Sequence, residues 1–242
     1  MTGWIALGAG ALAGGALFVG SLIAWFVDVP KTVVATIMAF GSGVLISALA
    51  FDLVEEAAEG GGFGPAMAGF LAGAVVYVGA NLLLDRVDAR NRRGSGESPG
   101  TGGGIAIGAL LDGIPETAVL GLSMVGGGQL SIPVLVAIVI SNLPEGLAST
   151  AELKASGRKS GYVFTLWAGI ALACALSSFG GYVLLDGVSE EVTAFVTAIA
   201  AGAILAMICD TMIPDAFRDA KAFTGLIATV GFFVSFGVHQ LG

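Results

Sequence analysis

Residues 137–150 read AIVISNLPEGLAST, an apolar run interrupted by Asn142, Pro144 and Glu145. The run lies within a longer apolar stretch, residues 130–151, whose length is typical of a helix that crosses a membrane. A carboxylate at the centre of such a helix costs about 2.5–3.5 kcal/mol on insertion scales. We therefore expect Glu145 to face a bundle interior, water or a cation rather than lipid.

The composition of the whole chain indicates an integral membrane protein. Its 242 residues are 56% hydrophobic and 12% charged, with a mean hydropathy of +0.93, whereas soluble domains carry about 25% charged residues. Because one membrane helix needs about 20 apolar residues, the sequence predicts an all-α membrane protein with eight spans. The predicted spans are residues 4–26, 31–53, 64–84, 104–124, 130–151, 161–185, 192–213 and 222–241.

We interpret residues 1–242 as a single transmembrane domain, with a polar, Gly- and Ser-rich loop at 85–103. Every Lys and Arg falls in an odd-numbered loop, so the positive-inside rule predicts that these loops are cytoplasmic and that both termini lie outside. The even-numbered loops carry only acidic charges. The basic residues are Lys31, Arg86, Arg90, Arg92, Arg93, Lys154, Arg158, Lys159, Arg218 and Lys221.

Two segments on either side of the central spans resemble each other. GSGVLISALAFDLVEEA at 41–57 aligns without gaps with AAGAILAMICDTMIPDA at 200–216, which places Gly43 on Gly202. The predicted topology runs these two spans in opposite directions. We interpret spans 1–3 and 6–8 as an inverted repeat around spans 4 and 5, an arrangement common in secondary transporters. Chance similarity between apolar helices is the competing interpretation.

Span 4 repeats the feature that marks span 5. The run AIGALLDGIPETAVLGL at 106–122 carries Asp112, Pro115 and Glu116. A proline inside a helix leaves the carbonyl of the preceding turn without its amide donor, and two proline-interrupted spans in corresponding positions indicate a transporter binding site. Kinked helices with protonated or hydrogen-bonded carboxylates are the alternative interpretation.

The spacing predicts one metal site between these two spans. Asp112 and Glu116 are four residues apart, as are Ser141 and Glu145, and Asn142 is three residues before Glu145, so each set shares one helix face. Because the two spans run in opposite directions, both faces meet near the middle of the bilayer. The candidate metal ligands are Asp112, Glu116, Ser141, Asn142 and Glu145. No catalytic residue and no bound cofactor are predicted.

SNLPEGLA at residues 141–148 resembles the HNxPEG signature of the ZIP (Zrt/Irt-like) divalent-metal transporters. DGIPETAVLG at residues 112–121 occupies the place of the other half of that motif pair, and the resemblance extends over nearly the whole chain. It implies uptake of zinc, iron or manganese into the cytoplasm across the cell membrane. It also implies a two-metal site on spans 4 and 5, a homodimer, and an elevator-like motion of spans 1, 4, 5 and 6 against spans 2, 3, 7 and 8.

The chain departs from the family where ligands are expected. Asp112 and Gly113 stand where span 4 of the family has a His-Asn pair, Ser141 replaces a stronger ligand, and span 6 has no acidic residue. The second metal position is therefore depleted and the remaining donors are all oxygens. Such a set favours Mn²⁺ or Mg²⁺ more than a histidine site does, although Zn²⁺, Fe²⁺ and Cd²⁺ still bind carboxylates.

The sequence also allows other functions and contains weaker candidate residues. A passive cation channel or a proton-coupled cation carrier would use the same carboxylates, and an intramembrane hydrolase would need catalytic groups that one terminal histidine, His239, does not supply. Asp52 is a weaker candidate for the outer mouth, with a surface position as the alternative, and Asp210 and Asp215 are weaker candidates for an inner exit. Cys174 and Cys209 lie inside spans 6 and 7, so neither a disulfide nor a thiolate metal site is predicted. The expected partners are a divalent metal ion and the lipid bilayer, and no nucleic acid.

Overall fold

The chain is entirely helical in the computed structural model, within the part of the chain that the structure describes. The description covers the backbone of residues 1–95 and 102–241, and the side chains of residues 1–86 and 104–240. The ten α-helices in it are α1 (Thr2–Phe26), α2 (Lys31–Ala48), α3 (Glu55–Gly61), α4 (Phe63–Ser95), α5 (Gly102–Leu122), α6 (Ile132–Ala155), α7 (Ser160–Leu185), α8 (Glu190–Met207), α9 (Ile213–Ala220) and α10 (Thr224–Leu241).

Seven helical stretches among the described residues are long and apolar enough to cross a membrane, which indicates a multi-pass membrane protein. The last of them, Glu190–Gln240, holds α8, α9 and α10 and contains a non-helical residue, Lys221, with φ 53° and ψ −127°. At about 1.5 Å per residue, a straight helix of that length would far exceed a hydrocarbon core of about 30 Å. The eight-span count stays a prediction, and this stretch is long enough for two passes.

Three helices extend beyond the predicted span limits. α4 continues to Ser95 rather than ending at residue 84, because the Ala and Arg residues that follow are good helix formers. Residues 96–101 of the predicted loop lie outside the described residues. α2 passes through a π-helical segment, Leu49–Val54, into α3, and α8 passes through another, Ile208–Met212, into α9.

The predicted sets of spans, 1, 4, 5 and 6 against 2, 3, 7 and 8, divide the helices into two groups. The first helix group contains α1, α5, α6 and α7, in which α1 packs against α7 and α6, and α5 packs against α7. The second helix group contains α2, α3, α4, α8, α9 and α10, in which α4 packs against α8 and α2 packs against α10. The groups meet where α2 contacts α6 and where α5 contacts α8 and α4.

The two prolines leave α5 and α6 continuous. Pro115 lies inside α5 and Pro144 inside α6, and neither ends its helix. Next to Pro144, the backbones of α6 and α1 approach so closely that a Cβ at Gly146 would collide with the carbonyl oxygen of Leu17. Packing of this kind is typical of membrane helices, whose interfaces are enriched in small residues. It holds the Pro-Glu segment of α6 firmly against α1.

Candidate functional site

The most deeply buried carboxylate of the described residues is Glu116, on α5. Its side chain is only 1% exposed, and neither carboxylate oxygen has a hydrogen-bond partner among the described residues. A buried charge without compensation is strongly unfavourable, so such a group is held neutral by a proton or is balanced by a cation. Glu116 is thus an acceptor group available to a positively charged ligand.

Asp112 and Glu145 lie close to Glu116. Asp112 acts electrostatically on both Glu116 and Glu145, and Glu116 acts on Glu145. The two helices therefore bring the three predicted carboxylates into one region of the interior. Three carboxylates in a low-dielectric region cannot all ionise without a compensating cation, so each of them is either protonated or balanced by positive charge.

Asp112 is already engaged by a residue from the other helix group. The hydroxyl of Tyr77, on α4, donates a hydrogen bond of 2.7 Å to Oδ1 of Asp112. Tyr77 is only 4% exposed. One oxygen of Asp112 is therefore occupied by the protein itself in this conformation.

The two polar residues of α6 differ in what they offer to a ligand. Ser141 is 2% exposed and its hydroxyl donates to the carbonyl of Ile138 at 3.0 Å. The amide nitrogen of Asn142 donates to the carbonyl of Ala13 on α1 at 3.0 Å, while its side-chain oxygen is buried with no partner. Of the two side chains, Asn142 therefore has the oxygen that is more available to bind a metal ion.

These five candidates are gathered into one region without forming a closed cage. Among the described residues, no group of three or more His, Cys, Asp or Glu side chains is near enough to hold a metal ion. The individual ligand assignments of Asp112, Glu116, Ser141, Asn142 and Glu145 therefore stay predictions. A ligand bound by all three carboxylates would require them to move closer together.

Two residues near the site were missed by sequence reasoning. Tyr77 had a usable signal, since a hydroxyl in the middle of an apolar span needs a buried hydrogen-bond partner. Cys174 is fully buried, and a Cβ added to Gly113 would lie 2.9 Å from its sulfur. Its electrostatic neighbours are Glu116 and Glu145. Nothing in the sequence distinguished it from an ordinary core cysteine.

The weaker candidates lie away from this region. Asp52 pairs with His239, whose Nδ1 lies 3.1 Å from Oδ1 of the carboxylate, so both residues have a partner on the neighbouring helix. Asp215 pairs with Arg218 at 3.2 Å. The single histidine thus belongs to a contact between α10 and the π-helical segment Leu49–Val54, and its partner is not one of the carboxylates of α5 and α6.

Two cavities lie where the helix groups meet. The larger, of about 580 Å³, is lined by residues of α1, α2, α6 and α9, including Met38, Ala148 and Asp215. The smaller, of about 280 Å³, is lined by residues near the ends of α3, α5 and α8, including Glu56 and Thr193. The larger cavity lies at the ends of α1, α6 and α9, and the smaller one lies at the connections that follow α3, α5 and α7.

No family model matches this chain. The chain is similar to a protein of Arabidopsis thaliana that bears the name "Putative zinc transporter", with 29% identity over 206 residues. The matched region covers 84% of this chain but only 33% of the relative. The chain thus spans about a third of the length of that relative, and most of the chain takes part in the similarity.

Proposed function

We propose that this chain is a membrane transporter that moves divalent metal cations into the cytoplasm through the carboxylate region of α5 and α6. The proposal rests on the surroundings of Glu116. This residue is 1% exposed, its carboxylate oxygens have no hydrogen-bond partner among the described residues, and Asp112 and Glu145 lie near it. Carboxylates inside a membrane bundle mark ion pathways because lipid cannot compensate their charge. A divalent cation compensates them and is itself bound by oxygen donors.

The similarity to a named transporter supports this function and is consistent with a protein that is not an enzyme. The relative's name mentions zinc, which fits one of the cations expected from the motifs. SNLPEGLA and DGIPETAVLG further support membership of the ZIP family. We include Zn²⁺, Fe²⁺, Mn²⁺ and Cd²⁺ as substrates and leave the preferred metal to experiment.

We propose that transport is of the elevator type, with the first helix group moving against the second. The support is the placement of glycines at which a Cβ would collide with a backbone carbonyl of another helix. Among the described residues, such contacts lie inside the groups. The tightest glycine contact between the groups is looser: a Cβ at Gly41 would lie 3.2 Å from Cα of Ser141. The contacts inside the groups include Gly20, Gly146, Gly121 and Gly181 in the first, and Gly43, Gly231, Gly73 and Gly202 in the second.

The same contacts support the eight-span inverted repeat. In the inverted repeat, span 2 corresponds to span 7 and span 8 to span 3. Accordingly, Gly43 of span 2 packs against α10, which is span 8, and its aligned residue Gly202 of span 7 packs against α4, which is span 3. The alignment also places Leu49 on Ile208, which are the first residues of the two π-helical segments. Two independent features thus recur at aligned positions. They favour a repeat over chance similarity.

The larger and smaller cavities support alternating access, because they lie at opposite ends of the contact between the two groups. The positive-inside rule assigns the larger cavity to the cytoplasmic side, since Lys31, Lys154 and Arg218 line it. We therefore propose an orientation in the cell membrane with both termini outside and an inward-open conformation. We also propose that the protein forms a homodimer, and the only support for this is the resemblance to the ZIP family.

The test is uptake of metal into proteoliposomes. Zn²⁺ or Mn²⁺ uptake is expected to saturate, and Glu145→Ala should abolish it, since Glu145 is the ligand that both metal positions would share. Glu59→Ala, which removes an exposed carboxylate of α3, serves as the matched control and should retain uptake. Flux that rises linearly without saturation would support the passive channel, and uptake unchanged by Glu145→Ala would contradict the proposed site.

A further inference from the structure

The hydrogen bond between Tyr77 and Asp112 crosses the contact between the two helix groups. Tyr77 lies on α4 in the second group, Asp112 lies on α5 in the first, and the hydroxyl-to-carboxylate distance is 2.7 Å. Among residues whose side chains are described, no other hydrogen bond or ion pair between two side chains joins the groups. The other such pairs do not join the groups: Lys154 pairs with Asp28 in the connection after α1, and Arg218 with Asp215 and His239 with Asp52 lie on the second side.

Tyr77 is held on its own side of this contact. It is 4% exposed and lies on α4 one helical turn after Gly73. The backbones of α4 and α8 touch nearby, where a Cβ at Gly73 would collide with the carbonyl oxygen of Ile199. The hydroxyl is therefore positioned by the second group and acts on the first.

We propose that Tyr77 is a positioning residue that stabilises this conformation by holding Asp112, and that Asp112 becomes a full metal ligand only when the Tyr77 hydrogen bond breaks. The inference rests on the proposed function and adds to it a residue outside the metal-binding motifs. The hydroxyl holds the Asp112 carboxylate toward α4 through Oδ1, so the carboxylate must turn away from Tyr77 before both of its oxygens can face a metal. A relative movement of the groups must break this hydrogen bond because its two ends lie on different groups.

The size of the effect follows from the kind of bond. A buried hydrogen bond to a carboxylate is among the stronger ones in proteins, and its loss shifts a two-state equilibrium by about tenfold or more. Tyr77→Phe removes only the hydroxyl and keeps the ring that packs in the core. Tyr77→Phe should therefore raise the population of the outward-open conformation and, at the same time, free Asp112 to bind a metal.

The first measurement needs no metal. Single cysteines are introduced at Ala148, in the larger cavity, and at Thr193, in the smaller cavity, each in a Cys209→Ser background. Tyr77→Phe should lower the ratio of maleimide labelling at the first position to that at the second by about tenfold. Tyr162→Phe, which removes a hydroxyl from a residue that is 41% exposed, should leave the ratio unchanged. A ratio that Tyr77→Phe also leaves unchanged would overturn the inference.

The second measurement is a double-mutant cycle on the binding of Zn²⁺ and Mn²⁺ to the purified protein. Tyr77→Phe should tighten binding by about tenfold when Asp112 is present, and should change it less than about twofold in an Asp112→Leu background, where no acceptor remains. Equal effects in both backgrounds would show that Tyr77 acts by packing alone and would overturn the inference.

The two measurements separate this inference from the proposed function. A parent protein with no saturable metal uptake contradicts the proposed function, whereas the labelling ratio of the metal-free protein tests the Tyr77 contact by itself. If uptake is saturable but the labelling ratio and the mutant cycle show no effect, the transporter stands and the role of Tyr77 is wrong.

Discussion

The carboxylates of the candidate site differ in the groups that surround them. Glu116 has two unpaired oxygens, whereas Asp112 shares one oxygen with Tyr77. Asp112 also occupies the position where the ZIP motif has an imidazole, so it replaces a softer nitrogen donor by a harder oxygen donor. We therefore expect the identity of residue 112 to govern the ranking of metals.

The Asp112→His variant should shift uptake toward Zn²⁺ relative to Mn²⁺, because imidazole suits Zn²⁺ better than carboxylate does. A change in relative affinity of about 1.4 kcal/mol alters the ratio tenfold, and we expect a shift of about that size. Competitive uptake of the two metals across a range of pH measures it. The parent's uptake should fall as pH is lowered, since protons compete with metal for carboxylates, and the variant should show a weaker fall.

Asp85→His, at an exposed position of α4, is the matched control and should keep the parent's metal ranking. An unchanged ranking in Asp112→His would mean that Asp112 does not contact the metal.

At the scale of helices, the contact between α1 and α6 fixes the position of the Pro-Glu segment. Gly146 follows Glu145 directly and faces the backbone of α1 at Leu17, while Gly20 of α1 faces the backbone of α6 at Leu143. Neither position has room for a methyl group unless the helices separate. The geometry of the site therefore depends on residues that carry no ligand atom.

Gly146→Ala should destabilise the protein by about 1–3 kcal/mol, the usual cost of forcing an added methyl group into a packed contact. Thermal unfolding in detergent measures this loss, and uptake should fall with it because Glu145 is displaced. Gly169→Ala is the control: Gly169 lies in the middle of α7 with nothing within 4 Å of its Cβ position. It should be neutral or slightly stabilising, as expected for alanine in a helix. Equal stability of the two variants would contradict the close α1–α6 contact.

The contact between α2 and α6 offers a direct test of relative movement. A Cβ at Gly41 would lie 3.6 Å from the Cγ2 methyl carbon of Ile140, so cysteines at these two positions face each other across the contact, and a disulfide forms once their Cβ atoms come within about 3.5–4.5 Å. Oxidation should stop uptake while metal binding is retained, and a reductant should restore uptake in the same sample. Full uptake by a protein whose disulfide has been verified would rule out the elevator motion.

At the scale of the whole molecule, the loops divide between two ends. The loops that carry basic residues after α1, α6 and α9 adjoin the larger cavity, and the acidic loops adjoin the smaller one. The net charge of −8 is therefore unevenly distributed along the axis of the bundle. Acidic groups at the smaller cavity attract cations, which agrees with the proposal that metal enters from this end.

Cysteines at Gly94 and Gly127 should react with an impermeant maleimide from opposite sides of the membrane, because the positive-inside rule assigns these two positions to different sides. Labelling of intact and permeabilised cells gives the assignment, with Cys209→Ser as the background. If both positions react from the same side, the predicted orientation and the direction of uptake are wrong.

The sequence by itself determined the features that depend on local composition and spacing. The apolar runs predicted a helical membrane protein, and the spacing of Asp112, Glu116 and Glu145 predicted their shared region, because hydrophobicity and helical periodicity act over a few residues. The prolines, together with the carboxylates, led to the prediction that α5 and α6 carry the site. The eight-span count, the inverted repeat and the ligand set remain predictions of this kind.

Only the tertiary structure decided how the helices are grouped and what each polar group contacts. Tyr77 reaches Asp112 from a helix 35 positions away in sequence, and Asn142 reaches Ala13 across 129 positions. The sequence also gave no sign of the π-helical segment at Leu49–Val54, nor of Cys174 beside Gly113. These contacts depend on which helix faces meet, and in lipid that choice is made by close packing and internal hydrogen bonds rather than by hydrophobicity, which is nearly uniform along the spans.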